Sequence, residues 1–494
     1  MRHVIWRAGK RNSYCIQYES AVDKVFTCRH ILGKDSNNMS DEKLKRTLGL
    51  GSLVIFGLAQ MSLSTVMTYM GITAQMTHGM ITLAYAIATV AMAFTAFSYA
   101  KMVRAYPETG SAFTYASKVF NPNLGFMTGW VMLIDYALLG CLSYLLLGLY
   151  MNILIPVIPG WVFVLISCAI LTFVQYIGVD IMAKVNNFFV VIAAIFMIGF
   201  FVLMLRYICL GGGEATLIDI RGIYSHEEFQ DVGWSGIIGA ASILVMCFLG
   251  CDAVTTLSEE AINPKKDVGK AIIIITIGMG LYFVIYSYVM QLAWPTGWKE
   301  FVDPDTASTE LISYIGGTVL GYIWTGIYVV TCITCCIAAQ TSASRLLYGM
   351  GRDKVLPEKF FAHVHPKFKT PSRNILFLGA LAAVVASLTD LLSISSVINF
   401  GALAGFTIVN LAVIKYYFFD QKKNSGLWNI CSYLIAPAIG AVVCFLIWIN
   451  LGRFALILGG IWALIGFVYL AISTKGFKTT KKMTFSENAP DDEN

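Results

Sequence analysis

The sequence predicts an all-α integral membrane protein with twelve transmembrane helices. Ten of them form two five-helix inverted repeats, helices 1 and 6 are discontinuous, and a final pair is appended. Three observations lead there. Of 494 residues, 57% are hydrophobic and 13% charged, whereas soluble domains carry about 25% charged residues. Apolar stretches recur twelve times, at roughly 50–73, 79–100, 124–154, 159–177, 186–209, 235–260, 268–293, 317–343, 374–390, 394–418, 430–450 and 453–473. Most approach the ~20 residues that cross a ~30 Å hydrocarbon core. The first and sixth stretches are interrupted by glycine and polar residues.

Residues 1–38 show no apolar periodicity and no signal-peptide core. At Met39 the chain becomes "MSDEKLKRTLGLGSLVIFGL", a short cytoplasmic lead (39–49) into a first span. Residues 1–38 are therefore expected to be a non-native or disordered extension, with Met39 the true start. "GKD" (33–35) can be encoded by a purine-rich run resembling a bacterial ribosome-binding site. The first repeat occupies 50–209 and the second 235–418, with "TDLLS" (389–393) dividing its last two spans. Helices 11–12 fill 430–473, and 474–494 form a tail.

Each interrupted span has a polar centre, "GLAQMSLST" (57–65) in the first and "FLGCDAVTT" (248–256) in the sixth. Interruptions at corresponding places of two halves point to an inverted-repeat transporter with a site at mid-membrane. Unwound backbone is tolerated at that depth only where it lines a protein cavity. Asp252 lies in the second break. A charge near the bilayer centre costs at least ~2.5–3.5 kcal/mol, which a bound cation or a structural partner must offset.

Charge distribution sets the orientation. Beyond Met39, Arg206, Arg221, Lys299 and Arg453 are the only lysines and arginines outside the tails and the even-to-odd loops. Positive residues remain cytoplasmic, so both termini are expected inside a bacterial cytoplasmic membrane. This one-sided distribution reads as lipid orientation, not nucleic-acid binding. The seven bases of 345–373 read as a loop against headgroups. External loops 210–234 and 295–315 are acidic, read either as a cation-concentrating vestibule or as solvated surface. The twelve cysteines lie mostly within apolar runs. "CITCC" (332–336) reads as small residues at a helix interface, and no metal or cofactor site is assigned. None of the six histidines lies mid-span. No HExxH or GxSxG motif supports an enzyme, and no filter-like repeat supports a channel.

Four stretches carry a resemblance: "FTAFSYAKMVRAYPETGSAFTYASKVFNPNLGFMTGWVMLIDY" (94–136), "FLGCDAVTTLSEEAINPKKDVGKAI" (248–272), "SRLLYGMGRDKVLPEKFFAHVHPKFKTP" (344–371) and "INFGALAGFTIVN" (398–410). The chain resembles the amino acid–polyamine–organocation permeases, and within them the bacterial putrescine-importer branch, from about Leu44 to residue 473. That resemblance implies a LeuT-like fold and secondary active uptake of putrescine or a related cationic amine, with an amino acid as the alternative substrate and a proton as the coupling ion. Two positions depart from the branch. Ser62 is followed by Leu63 where relatives often have proline, and "VVIAAIFMIGF" (190–200) lacks the lysine that some relatives carry in span 5.

A diamine needs acceptors at both ends, such as carboxylates, carbonyls or aromatic faces. The candidate substrate residues are Gln60, Met61 and Ser62 at the first break, Gly250 and Asp252 at the second, Asp135 with Tyr136 in span 3, and Glu259 or Glu260 beyond span 6. For Asp252 the alternative is a structural cap, and for the glutamates a loop paired with Lys265 or Lys266. The resemblance gives Tyr136 a ring facing substrate and Phe248 the role of an aromatic lid. Asp135, Asp252, Glu259 and Glu260 are the candidates for carrying the coupled proton.

Overall fold

Lipid offers the backbone no hydrogen-bond partner, so a chain this apolar must close its bonds within helices. The computed structural model describes residues 47–107, 111–177, 182–212, 219–258, 260–352, 356–368 and 370–474, and only the backbone at 182–187 and 256. The extension 1–38, nearly all of the lead, Glu259 and the tail beyond Thr474 lie outside the described residues. Among those described, eleven helices are long and apolar enough to cross a membrane, and Ser372–Leu388 adds a shorter apolar one. The polypeptide is thus a multi-pass membrane protein with the twelve predicted spans.

The first span comprises Leu50–Met61, Thr65–Thr68 and Met70–Met76, and the second is Ile81–Ala105. Pro122–Leu154, Gly160–Ile177 and Met182–Cys209 complete the first repeat. The sixth span runs from His226–Leu244, which is broken at Gly233 (φ 60°, ψ −174°), through two tight turns, Val245–Phe248 and Asp252–Leu257. Pro264–Ala293, Thr318–Arg352, Ser372–Leu388 and Leu391–Val413 follow as spans seven to ten. Ala436–Ile449 and Arg453–Ser473 form the cores of the last two. Asp390 in "TDLLS" divides spans nine and ten by capping the latter, its carboxylate accepting from Ser393 N at 2.8 Å.

The two halves repeat each other's irregularities. Their third members, of 33 and 35 residues, are the longest helices. At 1.5 Å per residue each reaches about 50 Å, so both must tilt or project from the core. Each half also places a short helix between its second and third members, Ala112–Val119 in one and Ala307–Gly316 in the other. Their second members pack through small residues. A Cβ on Gly280 would lie 2.3 Å from Thr89 Cγ2, and one on Gly269 would lie 3.1 Å from the Ala100 backbone.

Spans 3, 4, 8 and 9 are joined by a buried polar network around Gln340. Its Oε1 accepts from Tyr144 OH at 2.7 Å and Gln175 Nε2 at 3.1 Å, and its Nε2 donates to Ile375 O at 2.9 Å. Span 12 is fixed to span 3 by a reciprocal tryptophan pair. Trp130 Nε1 donates to Trp462 O, Trp462 Nε1 donates to Trp130 O, and the rings stack 4.9 Å apart.

Two predicted loops are partly helical. Glu227, Glu228 and Asp231 belong to the short helical piece that precedes the break at Gly233, with the two glutamates in its first turn, where acids complement the helix dipole. The eighth span runs on to Arg352, absorbing the start of the basic loop, with that arginine in its last turn. The acids of 295–315 largely hold the loop itself. Glu310 accepts from the amides of Val302 and Asp303, and Asp303 accepts from Asp305 N and Thr306 Oγ1. These bonds favour the structural reading over a free vestibule. Burial, reinforced by Asp303 and Asp390, pushes the Asp305 carboxyl up to about 6.

An acid whose folded value is raised loses stability as pH rises between its unfolded and folded values. Asp305→Asn removes that loss. The variant should melt higher than the parent above pH 6 and equally below pH 4, read as detergent melting curves across that range. A constant difference at every pH would contradict the assignment.

Candidate functional site

Both breaks rest on a residue with positive φ. Ser62 has φ 51° and Gly250 has φ 100°. Such a conformation suits glycine, and on serine it is strained enough to need external support. Ser62 and Ser64 share a 2.8 Å hydroxyl contact, and Thr65 Oγ1 donates to Met61 O and Ser62 O at 2.8 and 2.9 Å. Tyr282 OH, from the seventh span, donates to Leu63 O at 3.1 Å. At the other break, Asn399 Nδ2 of the tenth span donates to Ser242 O at 2.7 Å and Ile243 O at 3.2 Å. Those carbonyls lie just before the helix tightens at Val245–Phe248.

The breaks meet directly. A Cβ on Gly250 would lie 3.0 Å from Gln60 Cβ and 3.3 Å from its backbone carbon. The two halves of the first span are packed differently. All of Val66 to Ala74 is buried, whereas the other half buries Leu53, Gly57 and Met61 and exposes Leu58, Ala59 and Gln60. Gly57 fits there because a Cβ would collide with Ile275 and Val254. At its start this half is tied to the chain after the sixth span. Thr47 N and Leu48 N donate to Glu260 O, and Ile262 N donates to Leu48 O at 2.9 Å.

The predicted residues divide accordingly. Asp252 opens the turn Asp252–Leu257, is 8% exposed, and accepts from Ser111 Oγ at 3.0 Å. Asp135 and Tyr136 are half-buried on the third span. A Cβ on Gly401 would come within 3.5 Å of Asp135 Cβ, so the third and tenth spans touch there. Among the described residues the Asp135 carboxylate accepts no hydrogen bond. Phe248 is fully buried, edge-on to Phe283 at 5.4 Å. Glu260 contributes its backbone to the bridge with residues 47–48, and Glu259 lies outside the described residues.

Ser111, Tyr282 and Asn399 were not singled out in the sequence. Asn399 had a signal, an amide within "SVINFGALAGF" that needs partners in lipid. Serine and tyrosine are too common in such segments to stand out. Two further pairs join the second half of the first span to its surroundings. Thr68 Oγ1 lies 2.5 Å from Tyr328 OH, and Ser395 Oγ donates to Tyr69 OH at 3.2 Å.

Gly250→Ala should place a strained residue against Gln60, at a cost of order 1–3 kcal/mol. Uptake should fall at least tenfold in protein that still reaches the membrane. Retention of parental uptake would show that the two breaks do not need this contact.

An amino acid permease family model matches residues 51–485. The low-affinity putrescine importer PlaP of Escherichia coli (strain K12) is 36% identical over 441 residues, covering 89% of this chain and 96% of that protein. The branched-chain amino acid permease BcaP of Bacillus subtilis (strain 168) is 25% identical over 481 residues, covering 92% and 98%. The methylthioribose transporter of the same organism is 27% identical over 465 residues, covering 89% and 96%. With the interrupted first and sixth spans in matching positions, the fold is the LeuT-like one that the resemblance implied, and the chain belongs to the amino acid permease family.

Proposed function

We propose that this protein imports putrescine or a closely related cationic amine across the bacterial cytoplasmic membrane, by alternating access and with proton coupling. The observation that carries this reading is the pair of carboxylates Asp252, at the second break, and Asp135, on the third span where it meets the tenth, the latter with no described donor. Two anions and an aromatic ring at Tyr136 suit a substrate with an ammonium at each end. Similarity over nearly the full length to a putrescine importer supports the same substrate class. An α-amino acid would need a donor for its carboxylate, ordinarily a half-helix N-terminus. Here the turn after the second break begins with Asp252, which repels a carboxylate.

In this mechanism Asp252, oriented by Ser111, takes one ammonium, and Tyr136 offers its ring face. Asp135 takes either the second ammonium or the coupled proton. Gln60, Met61 and Ser62 line the first-span side, and Glu260 belongs to the inner hinge. The packed outer halves and the exposed Gln60 fit a conformation closed on the outer side. The lysine and arginine distribution supports a cytoplasmic place for both termini.

Labelled putrescine uptake into proteoliposomes tests the reading, with competition by diamines, polyamines and amino acids. Diamines should compete best. Preferential competition by amino acids would replace the substrate assignment.

Asp252→Asn should abolish uptake while leaving the protein in the membrane. Unchanged apparent affinity would remove Asp252 from the site. Tyr136→Phe should retain more uptake than Tyr136→Ala, because a cation–ring contact of ~0.5–2 kcal/mol survives loss of the hydroxyl. Equal damage would assign the role to the hydroxyl.

A further inference from the structure

Away from the breaks, a second polar cluster lies where the first span turns into the second. His78 Nδ1 is 3.3 Å from Glu228 Oε2. Asp231 stands three residues further along the sixth span, on the same helical face. One ligand atom from each of His78, Glu228 and Asp231 lies within 4.8 Å of the others. The imidazole is held in place, stacked on Trp298 with centroids 4.3 Å apart and planes 11° from parallel. Lys299 Nζ binds the opposite oxygen of Glu228, Oε1, at 3.1 Å and lies 4.6 Å over the Trp298 ring. That leaves Oε2 turned toward the histidine.

We propose that His78, Glu228 and Asp231 form a binding site for a transition-metal cation of the zinc class, reached from the external face. An imidazole nitrogen and two carboxylate oxygens are a ligand set that zinc accepts. Bonds of ~2.0–2.2 Å at a tetrahedral angle hold ligand atoms about 3.4 Å apart, close to the His78–Glu228 distance. Moving the third atom inward needs only side-chain rotation of Asp231, which is exposed. Water completes the coordination, since all three side chains have solvent access. The imidazole favours a transition metal over magnesium or calcium. Lys299 is the competing cation, and with 56% of its side chain exposed it is free to swing aside. The bound ion would join the turn after the outer half of the first span to the first turns of the sixth, two segments already packed together where Gly236 meets Met76 O.

The test uses the full-length protein, purified in detergent and stripped with a chelator. Zinc chloride is titrated while melting temperature and zinc retained per chain are read. A ligand that binds only the folded state raises the melting temperature. The parent should show this rise. His78→Ala and Asp231→Asn should each shift the half-effect concentration at least ~10-fold upward, and Lys299→Met should shift it downward. Magnesium chloride should leave the melting temperature unchanged. If His78→Ala does not fold, Asp231→Asn decides alone, because that side chain lies on an exposed helix face. Equal zinc response in the parent and Asp231→Asn would overturn the proposal and assign the metal to the cysteine thiols.

Discussion

Two helices broken at membrane depth expose amides and carbonyls that water cannot reach, and each group left unpaired costs about 1–3 kcal/mol. Much of the architecture around the site follows from meeting that demand. Asn399 must reach Ser242 O and Ile243 O, so the tenth span has to lie against the sixth. Tyr282 must reach Leu63 O, so the seventh span has to lie against the first. These positions are then fixed from behind by glycines. Gly401 and Gly405 bring the tenth span onto Val131 O and Met132 of the third, and Gly280 brings the seventh onto Thr89 of the second. Small residues are the means by which helices approach closely in lipid, where burial of apolar surface supplies no drive between them.

The result is two regions of different character. Spans 3, 4, 8 and 9 share the network around Gln340, whose amide bonds to Tyr144, Gln175, Thr172 and Ile375 O. Rearranging it would require breaking several buried hydrogen bonds together. The first and sixth spans are instead joined chiefly by packing, of Gly250 on Gln60, Gly57 on Val254 and Gly236 on Met76 O, together with the backbone bridge between Leu48 and Ala261. The bridge ties the chain entering the first broken helix to the chain leaving the second.

Composition and periodicity made the spans legible, because lipid imposes the same length and polarity on every crossing. The breaks were legible because Gly57, Ser62 and Gly250 sit with polar neighbours inside runs that are otherwise uniformly apolar. Even the short divider "TDLLS" could be read, since Asp390 caps the helix that follows it. Other features depend on pairings between distant parts of the chain. Ser111 and Asp252 are 141 residues apart, and neither residue type announces the other. Glu260 acts through its carbonyl, which every residue possesses. Phe248 was placed over the substrate by resemblance, whereas its environment against Phe283 is set by the tight turn before the break. The acids of the external loop gave a charge pattern in sequence, but their use by Val302, Asp303 and Asp305 amides is a matter of local turn geometry.

The two carboxylates also bear on how an amine and a proton can be moved in the same direction. If one acid served both, taking up the amine outside would release its proton there, and the cycle would exchange the two. Symport needs a second acid that stays protonated while the first holds the amine. Asp252 and Asp135 differ in the way this requires. Asp252 accepts from Ser111 Oγ at 3.0 Å, whereas Asp135 has no described donor. In the proposed mechanism Asp252 holds the amine while Asp135 keeps its proton, so that both cross together, without a lysine in 190–200 or a mid-span histidine. A dication also gains ~2.3 kcal/mol per charge per 100 mV from the membrane potential. The potential can supply the larger share of the driving force, and the acid pair then sets the order in which substrate and proton bind and leave.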